Sequence, residues 1–79
     1  MKIAAIKKAV ENYSIEELQA AEQAILEEKK PEIAIDGEDE GEQLTHVLAA
    51  IEIRKDIQNG TEEKQALRNY TQRVRNSIS

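Results

Sequence analysis

Apolar side chains recur along the first third of the chain at intervals of three and four residues, which places them on one side of an α-helix. In residues 2–13 the repeating positions are Ile3, Ile6 and Val10. In residues 14–30 they are Leu18, Ala21 and Ile25. The spacing predicts two amphipathic helices that are separated at residues 12–14.

The second of these helices carries a boundary signal at each end. Ser14 and Glu17 have the spacing of a capping box, in which each side chain accepts a hydrogen bond from the backbone amide of the other residue. Pro31 lacks an amide hydrogen and restricts the backbone of Lys30. We therefore expect the helix to begin after Ser14 and to continue until Pro31 stops it.

The third helix, predicted over residues 42–58, is apolar on two sides. At about 100° per residue, one face is formed by Leu44, Val47, Leu48 and Ile51. The other face, well over a right angle away, is formed by Ala50, Ile53 and Ile57, with His46 in line. Such a helix must be covered on two sides. It is therefore either the centre of a small bundle or half of a subunit interface.

A fourth helix follows the turn signal Asn59-Gly60 and has Thr61 as its predicted N-cap. Its apolar stripe is Ala66, Leu67, Tyr70, Val74 and Ile78. A separate basic face is formed by Lys64, Arg68 and Arg75. This helix could meet a few phosphates or an acidic protein surface through that face.

Between the second and third helices the helical pattern is lost. Ile33 and Ile35 alternate with polar or small residues, so residues 31–36 are either an extended arm on the core or a strand whose partner is not evident. Residues 36–42 form an acidic, glycine-containing loop. The predicted fold is a single all-α domain over residues 1–79, a bundle of three to four helices with an irregular acidic loop.

Composition limits how such a domain can be stabilised. The 79 residues include eighteen large aliphatic side chains but no Phe, Trp or Cys. A chain below about 80 residues rarely gains more than about 3–5 kcal/mol from its own core, and disulfides are excluded here. Idealised helix packing or oligomerisation remains, and the sequence leaves monomer and homodimer open.

Charge and hydropathy indicate a cytoplasmic protein. The formal net charge is −5, which disfavours nucleic acid as the main partner. No apolar run has the length of a signal peptide or of a membrane span. The absence of cysteine fits a reducing compartment.

The acidic loop resembles a calcium-binding loop only in part. Asp36, Glu38 and Glu40 fall at positions 1, 3 and 5 of an EF-hand, but Val47 stands where a bidentate Glu is required. A solvated loop leading into a helix N-terminus explains the acids better. We expect no specific metal site.

No other motif supports catalysis or a cofactor. His46 is the single histidine, and Glu42, one turn before it, adds too few ligands for zinc or iron. There is no cysteine nucleophile, no Gly-x-Ser-x-Gly elbow and no glycine-rich phosphate loop. The sequence therefore predicts a protein that is not an enzyme, with no catalytic residues and no cofactor.

Several segments together resemble a known group of proteins. They are the run GEDEGEQLTHVLAAI at residues 37–51, then Asn59-Gly60-Thr61 and Ala66-Leu67-Arg68. They resemble a family of short proteins of unknown function from Bacteroidetes-type bacteria. The resemblance implies a cytosolic bacterial protein and transfers no site residues.

The best function hypothesis is a non-enzymatic helical protein that acts through protein–protein contact as a homodimer, with an unidentified protein partner possible. The expected interface residues are His46, Ala50, Ile53 and Ile57, with Ile53 near the centre. The alternative is a small nucleic-acid-associated regulator that uses Lys64, Arg68 and Arg75.

Overall fold

Four α-helices form the fold. The computed structural model describes residues 2–78 and the side chains of residues 2–75. The helices are α1 (Ile3–Asn12), α2 (Ile15–Leu26), α3 (Glu40–Gln58) and α4 (Glu63–Ile78). Residues 2–78 contain no strand, so residues 31–36 are an irregular arm. The prediction of an all-α bundle is confirmed.

The helix α3 lies at the centre and packs against each of the other three helices. The buried core draws on all four helices, with Ile6 and Val10 from α1 and Leu18 from α2 among its fully buried side chains. Ala66 joins it from α4. The sequence left open whether this helix is the centre of a small bundle or half of a subunit interface, and in the fold α3 is the centre of the bundle.

The first apolar face of α3 differs from the prediction at one position. Val47 and Ile51 are buried and Leu44 is half-buried, but Leu48 keeps 46% of its surface exposed. In its place Ala49, which the pattern did not select, is 1% exposed. The covered sector of α3 is therefore shifted away from Leu48.

Two hydrogen bonds fix α1 beside α3. The backbone amide of Lys2, just before α1, donates to His46 Nε2 at 3.1 Å. At the other end of α1, Arg54 Nε donates to the carbonyl oxygen of Tyr13 at 3.1 Å. Since His46 precedes Arg54 in α3, the two helices run in the same direction along one another.

The start of α2 is as predicted, but its end is not. The Glu17 amide donates to Ser14 Oγ at 3.2 Å and the Ser14 amide to Glu17 Oε1 at 3.0 Å, which completes the capping box. The helix ends at Leu26 rather than at Pro31. Glu28 adopts the left-handed conformation with φ 61°, and its amide donates to the carbonyl of Ile25.

That helix end is a Schellman motif, completed by the Lys29 amide donating to the carbonyl of Ala24 at 2.8 Å. Such a motif normally has glycine at the left-handed position. A sequence search for glycine therefore passes over Glu28 and extends the helix to the proline. Residues 27–30, which the prediction placed in the helix, instead begin the irregular segment.

A side chain caps the start of α3, and backbone geometry closes its end. Asp39 Oδ1 accepts from the Glu42 amide at 2.8 Å, so α3 begins at Glu40, two residues before the predicted start. At the other end Gly60 has φ 103°, and the Thr61 amide donates to the carbonyl of Asp56 at 3.0 Å. The predicted glycine end of this helix is present.

The predicted N-cap of α4 is displaced by one residue. The first intrahelical bond runs from the Ala66 amide to the carbonyl of Glu62 at 2.8 Å, and the helix begins at Glu63. Thr61 therefore precedes the N-cap position. Ile78, which was placed on the apolar stripe, lies in α4, but its side chain is outside the described residues.

The irregular segment between α2 and α3 packs on the core through its isoleucines. Ile33 and Ile35 are half-buried against the core cluster. The Tyr13 hydroxyl donates to the carbonyl of Ala34 at 3.2 Å. The arm alternative is therefore the one observed.

Across residues 2–78, none of the helices combines the length and apolar character that a bilayer span requires.

Candidate interaction surfaces

The face of α3 that was expected to meet a second subunit lies inside the chain. Ala50 and Ile53 have no exposed surface and His46 is 1% exposed, while Ile57 is half-buried against the core. Groups covered by their own chain are not available to a partner. A dimer contact must therefore use another surface.

His46 joins three segments of the chain. A backbone amide can only donate, so Nε2 is the acceptor for Lys2, and Nδ1 carries the hydrogen that it donates to the carbonyl of Asp36 at 2.7 Å. The ring links α3 to the start of α1 and to the acidic loop. Neither nitrogen is left for a metal or for proton transfer, and neither pairs with Glu42.

The acidic loop is held by its own backbone and side chains. Asp39 caps α3, and Asp36 lies 3.7 Å from Lys8 Nζ in an exposed ion pair. Gly37 sits so close to Gln43 that a Cβ would lie 2.7 Å from its Cγ. Within residues 2–78 no three metal-ligating side chains come together. The loop therefore begins α3 and anchors α1.

The basic face of α4 is exposed. Lys64, Arg68 and Arg75 point away from the core, and none of them forms an ion pair with the residues that the structure describes. Arg73 is different, because its guanidinium contacts Glu52 at 2.8 Å and Asp56 at 3.3 Å on α3. Arg73 thus fastens α4 to α3, whereas the other three cations face solvent.

The apolar stripe of α4 is only partly covered. Ala66 is fully buried, while Leu67, Tyr70 and Val74 are half-buried. Burial raises the pKa of Tyr70, Glu52 raises it further, and Arg73, 6.0 Å from the ring centre, opposes them. The phenol is therefore neutral around pH 7. α4 has an apolar edge beside its cations.

A groove of about 500 Å³ separates α2 from the chain that follows it. Its apolar wall is formed by Ala20, Ala21, Ala24 and Ile33. Glu16 and Glu17 lie at the start of α2, and Lys29 and Lys30 lie beyond its end. The groove therefore has an acidic end at the start of α2, an apolar middle and two lysines at its other end, and Glu32, in the segment that follows those lysines, adds a third carboxylate to its lining.

The sequence analysis missed this groove because it depends on the early end of α2. With the helix continued to residue 30, residues 29–33 would not turn back alongside it. The signal was present in Ala20, Ala21 and Ala24, which leave one side of α2 without any large side chain. Small side chains on a helix flank allow either close packing or an open groove.

A family model matches the whole chain, residues 1–79, and its description is a family of unknown function, DUF6952. The chain belongs to this family. The resemblance to a family of unknown function is thereby confirmed. No curated protein and no solved structure gives a significant match.

Proposed function

We propose that this DUF6952 protein is a non-enzymatic helical module of the bacterial cytoplasm that acts through protein–protein contact as a homodimer. The resemblance to short proteins of Bacteroidetes-type bacteria supports the bacterial setting. The lack of cysteine fits a reducing compartment.

The observation that carries this proposal is the outer side of α4. Val74 is half-exposed there, and Leu67, which also packs against the core cluster, is half-exposed as well. Both lie beside the cations Lys64, Arg68 and Arg75, which lack ion-pair partners among the described residues. An apolar edge bordered by charge is the usual make-up of a protein contact, in which burial supplies affinity and charge supplies orientation. A second subunit would also extend the small core.

The interior gives support for a non-enzymatic role. Among residues 2–75 His46 is the one polar or charged residue that is fully buried, and both of its nitrogens bond to the backbone. Glu42 is half-buried, and its Oε1 atom is enclosed without a hydrogen-bond partner among the described residues. General acid–base catalysis requires a titratable group that can reach a substrate. His46 cannot do so without breaking the contacts that hold α1 and the acidic loop.

A second candidate, a nucleic-acid-associated regulator, is favoured by the same three exposed cations. Lysine and arginine on one helix face can neutralise phosphates and release counterions. The net charge of −5 opposes it. Tyr70, which could stack on a base, is instead packed against the core.

One set of measurements separates the two functions. Light scattering during size exclusion gives the mass from low to high micromolar protein, and anisotropy of a labelled DNA duplex at physiological salt gives nucleic-acid binding. We expect a mass of twice 8.9 kDa and no DNA binding at micromolar protein.

The matched variant is the triple substitution Lys64→Glu, Arg68→Glu and Arg75→Glu, which we expect to be a folded monomer. A wild-type mass of 8.9 kDa at every concentration would refute the homodimer. Micromolar DNA binding that the triple variant loses would favour the regulator.

A further inference from the structure

The groove beside α2 lacks an occupant of its own. Its wall of Ala20, Ala21 and Ala24 offers no large side chain to fill it. Within the chain α4 packs on α3, which is the neighbour it shares with α2. The groove and the outer edge of α4 are therefore two separate incomplete surfaces of one molecule.

We infer that the homodimer forms when α4 of each subunit enters the groove beside α2 of the other. This inference rests on the proposed homodimer and names the surface that forms it. Leu67 and Val74 stand two helical turns apart on α4. Leu67 also packs against its own core, so the parts of these two side chains that remain exposed would fill the space beside the alanines. Larger residues from one helix then fill the space left by small residues on another.

The charges of the two surfaces match at both ends. Glu62 and Glu63 precede the cations of α4, and they would meet Lys29 and Lys30. Arg68 and Arg75 would meet the acidic end of the groove. From residue 63 to residue 75, α4 spans roughly 18 Å, and from residue 16 to residue 26, α2 spans roughly 15 Å, so both ends can be engaged together.

Three of the groups that would pair across the contact have no ion pair within one subunit. Glu16 and Lys30 form no ion pair with the described residues, as is true of Arg68. Glu17, in contrast, accepts from the Ser14 amide, and Lys29 lies 3.5 Å from Glu27. Glu16 and Arg68 are therefore the residues through which the contact can be tested without disturbing a cap or an existing ion pair.

Symmetric pairings of either surface with itself are less favourable. Two α4 helices facing one another would bring Lys64, Arg68 and Arg75 close to the same cations of the partner. Two α2 helices facing one another would bring alanine against alanine and leave the grooves unfilled. With α4 in the groove, a two-fold axis produces the contact twice and closes the assembly as a dimer.

The test uses two full-length variants, Arg68→Glu and Glu16→Lys, in sedimentation velocity at physiological salt. Each variant alone places like charges at both copies of the contact. We expect each to dimerise at least about tenfold more weakly than wild type. Circular dichroism establishes that both remain helical, and Lys7→Glu on the exposed side of α1 controls for the change in net charge that Arg68→Glu makes.

An equimolar mixture of the two variants gives the decisive result. In the mixed dimer, one contact pairs the α4 that carries Arg68→Glu with the groove that carries Glu16→Lys, so opposite charges meet again. The other contact pairs a wild-type α4 with a wild-type groove. We expect the mixture to dimerise within about threefold of wild type. No other pairing of these surfaces restores both contacts.

The inference is overturned if wild type is dimeric and either variant matches it, if the mixture does not recover, or if Lys7→Glu weakens the dimer equally. In those cases the proposed homodimer stands and uses another surface. A monomeric wild type refutes the homodimer itself. Binding to a DNA duplex that only Arg68→Glu abolishes would assign the α4 face to nucleic acid instead.

Discussion

The helices α3 and α4 are similar in length, at 19 and 16 residues, but they differ in how their apolar sides are covered. α3 is apolar over two faces and is covered by α1, α2 and α4. α4 is apolar along one stripe, and among its described side chains Ala66 is buried while Leu67, Tyr70 and Val74 are half-exposed. The inner helix is completed by its own chain, whereas the outer helix is not.

The comparison shows that the number of neighbours a helix needs and the chain that provides them are separate questions. The number of apolar faces indicates how many neighbours a helix needs. It does not indicate whether those neighbours belong to the same chain. For Ile53 they do, and for Leu67 and Val74 we propose that part of the cover comes from a second subunit.

The largest expected effect is on the inner helix. Ile53→Asp places a carboxylate among aliphatic side chains with no partner and should cost more than about 4 kcal/mol. That is comparable to the stability of a domain of this size, so we expect an unfolded chain. Circular dichroism measures the loss of helix.

Leu48→Asp is the control, because Leu48 is 46% exposed on the same helix. We expect a change within about 1 kcal/mol and a fully helical spectrum. If Ile53→Asp gave a stable, folded monomer instead, Ile53 would belong to a subunit interface and the comparison between the two helices would fail.

His46→Ala should have the next largest effect, a loss of about 2–3 kcal/mol in the free energy of unfolding. The substitution leaves a cavity and removes the partners of the Lys2 amide and of the Asp36 carbonyl. Urea denaturation measures the loss. Hydrogen exchange should show faster exchange in α1 and the acidic loop than in α4, and uniform exchange would mean that the ring does not link these segments.

Gly60→Ala tests the connection between α3 and α4. Nothing lies within 4 Å of an added Cβ, so the cost comes from the left-handed backbone alone, at about 1 kcal/mol. Glu28→Gly at the end of α2 is the reverse experiment and should raise the free energy of unfolding by about 0.5 kcal/mol. Thermal unfolding of both variants should shift in opposite directions, and a common direction would contradict the capping account.

The smallest effect is expected at the attachment of α4. Arg73→Ala removes the ion pairs to Glu52 and Asp56, whose atoms are partly exposed. Such pairs contribute about 0.5 kcal/mol, and less at high salt. Denaturation at low and at high salt measures this, and a loss above about 2 kcal/mol would mean that α4 depends on Arg73 rather than on its apolar stripe.

The sequence contained most of the fold. Ser14 and Glu17 placed the start of α2, Gly60 placed the end of α3, and the apolar spacing identified four helices. It did not place the end of α2, because Glu28 adopts a left-handed backbone conformation that is typical of glycine and not of glutamate. The groove that follows from that end was therefore not predicted, although Ala20, Ala21 and Ala24 already marked a flank of small side chains on α2.

The surfaces were only partly predictable. Charge periodicity grouped Lys64, Arg68 and Arg75 on one face of α4, and all three side chains are exposed. Helical spacing also separates Arg73 from them, since at about 100° per residue Arg73 lies on the opposite side of α4. Its partners on α3, however, depend on how α4 lies on α3, and spacing within α4 carries no such information. The same holds for His46, whose partners come from segments 44 and 10 residues away in sequence.

The most direct test of the contrast between α3 and α4 uses single cysteines, since the chain has none. Ile53→Cys and Val74→Cys are each treated with a thiol reagent at low and at high protein concentration. We predict that the thiol at position 53 is protected at every concentration. The thiol at position 74 should react when dilute and become protected as the dimer forms. The account would be contradicted if the thiol at position 53 reacted in dilute protein and became protected in concentrated protein while the thiol at position 74 reacted throughout. That result would place the subunit interface on α3.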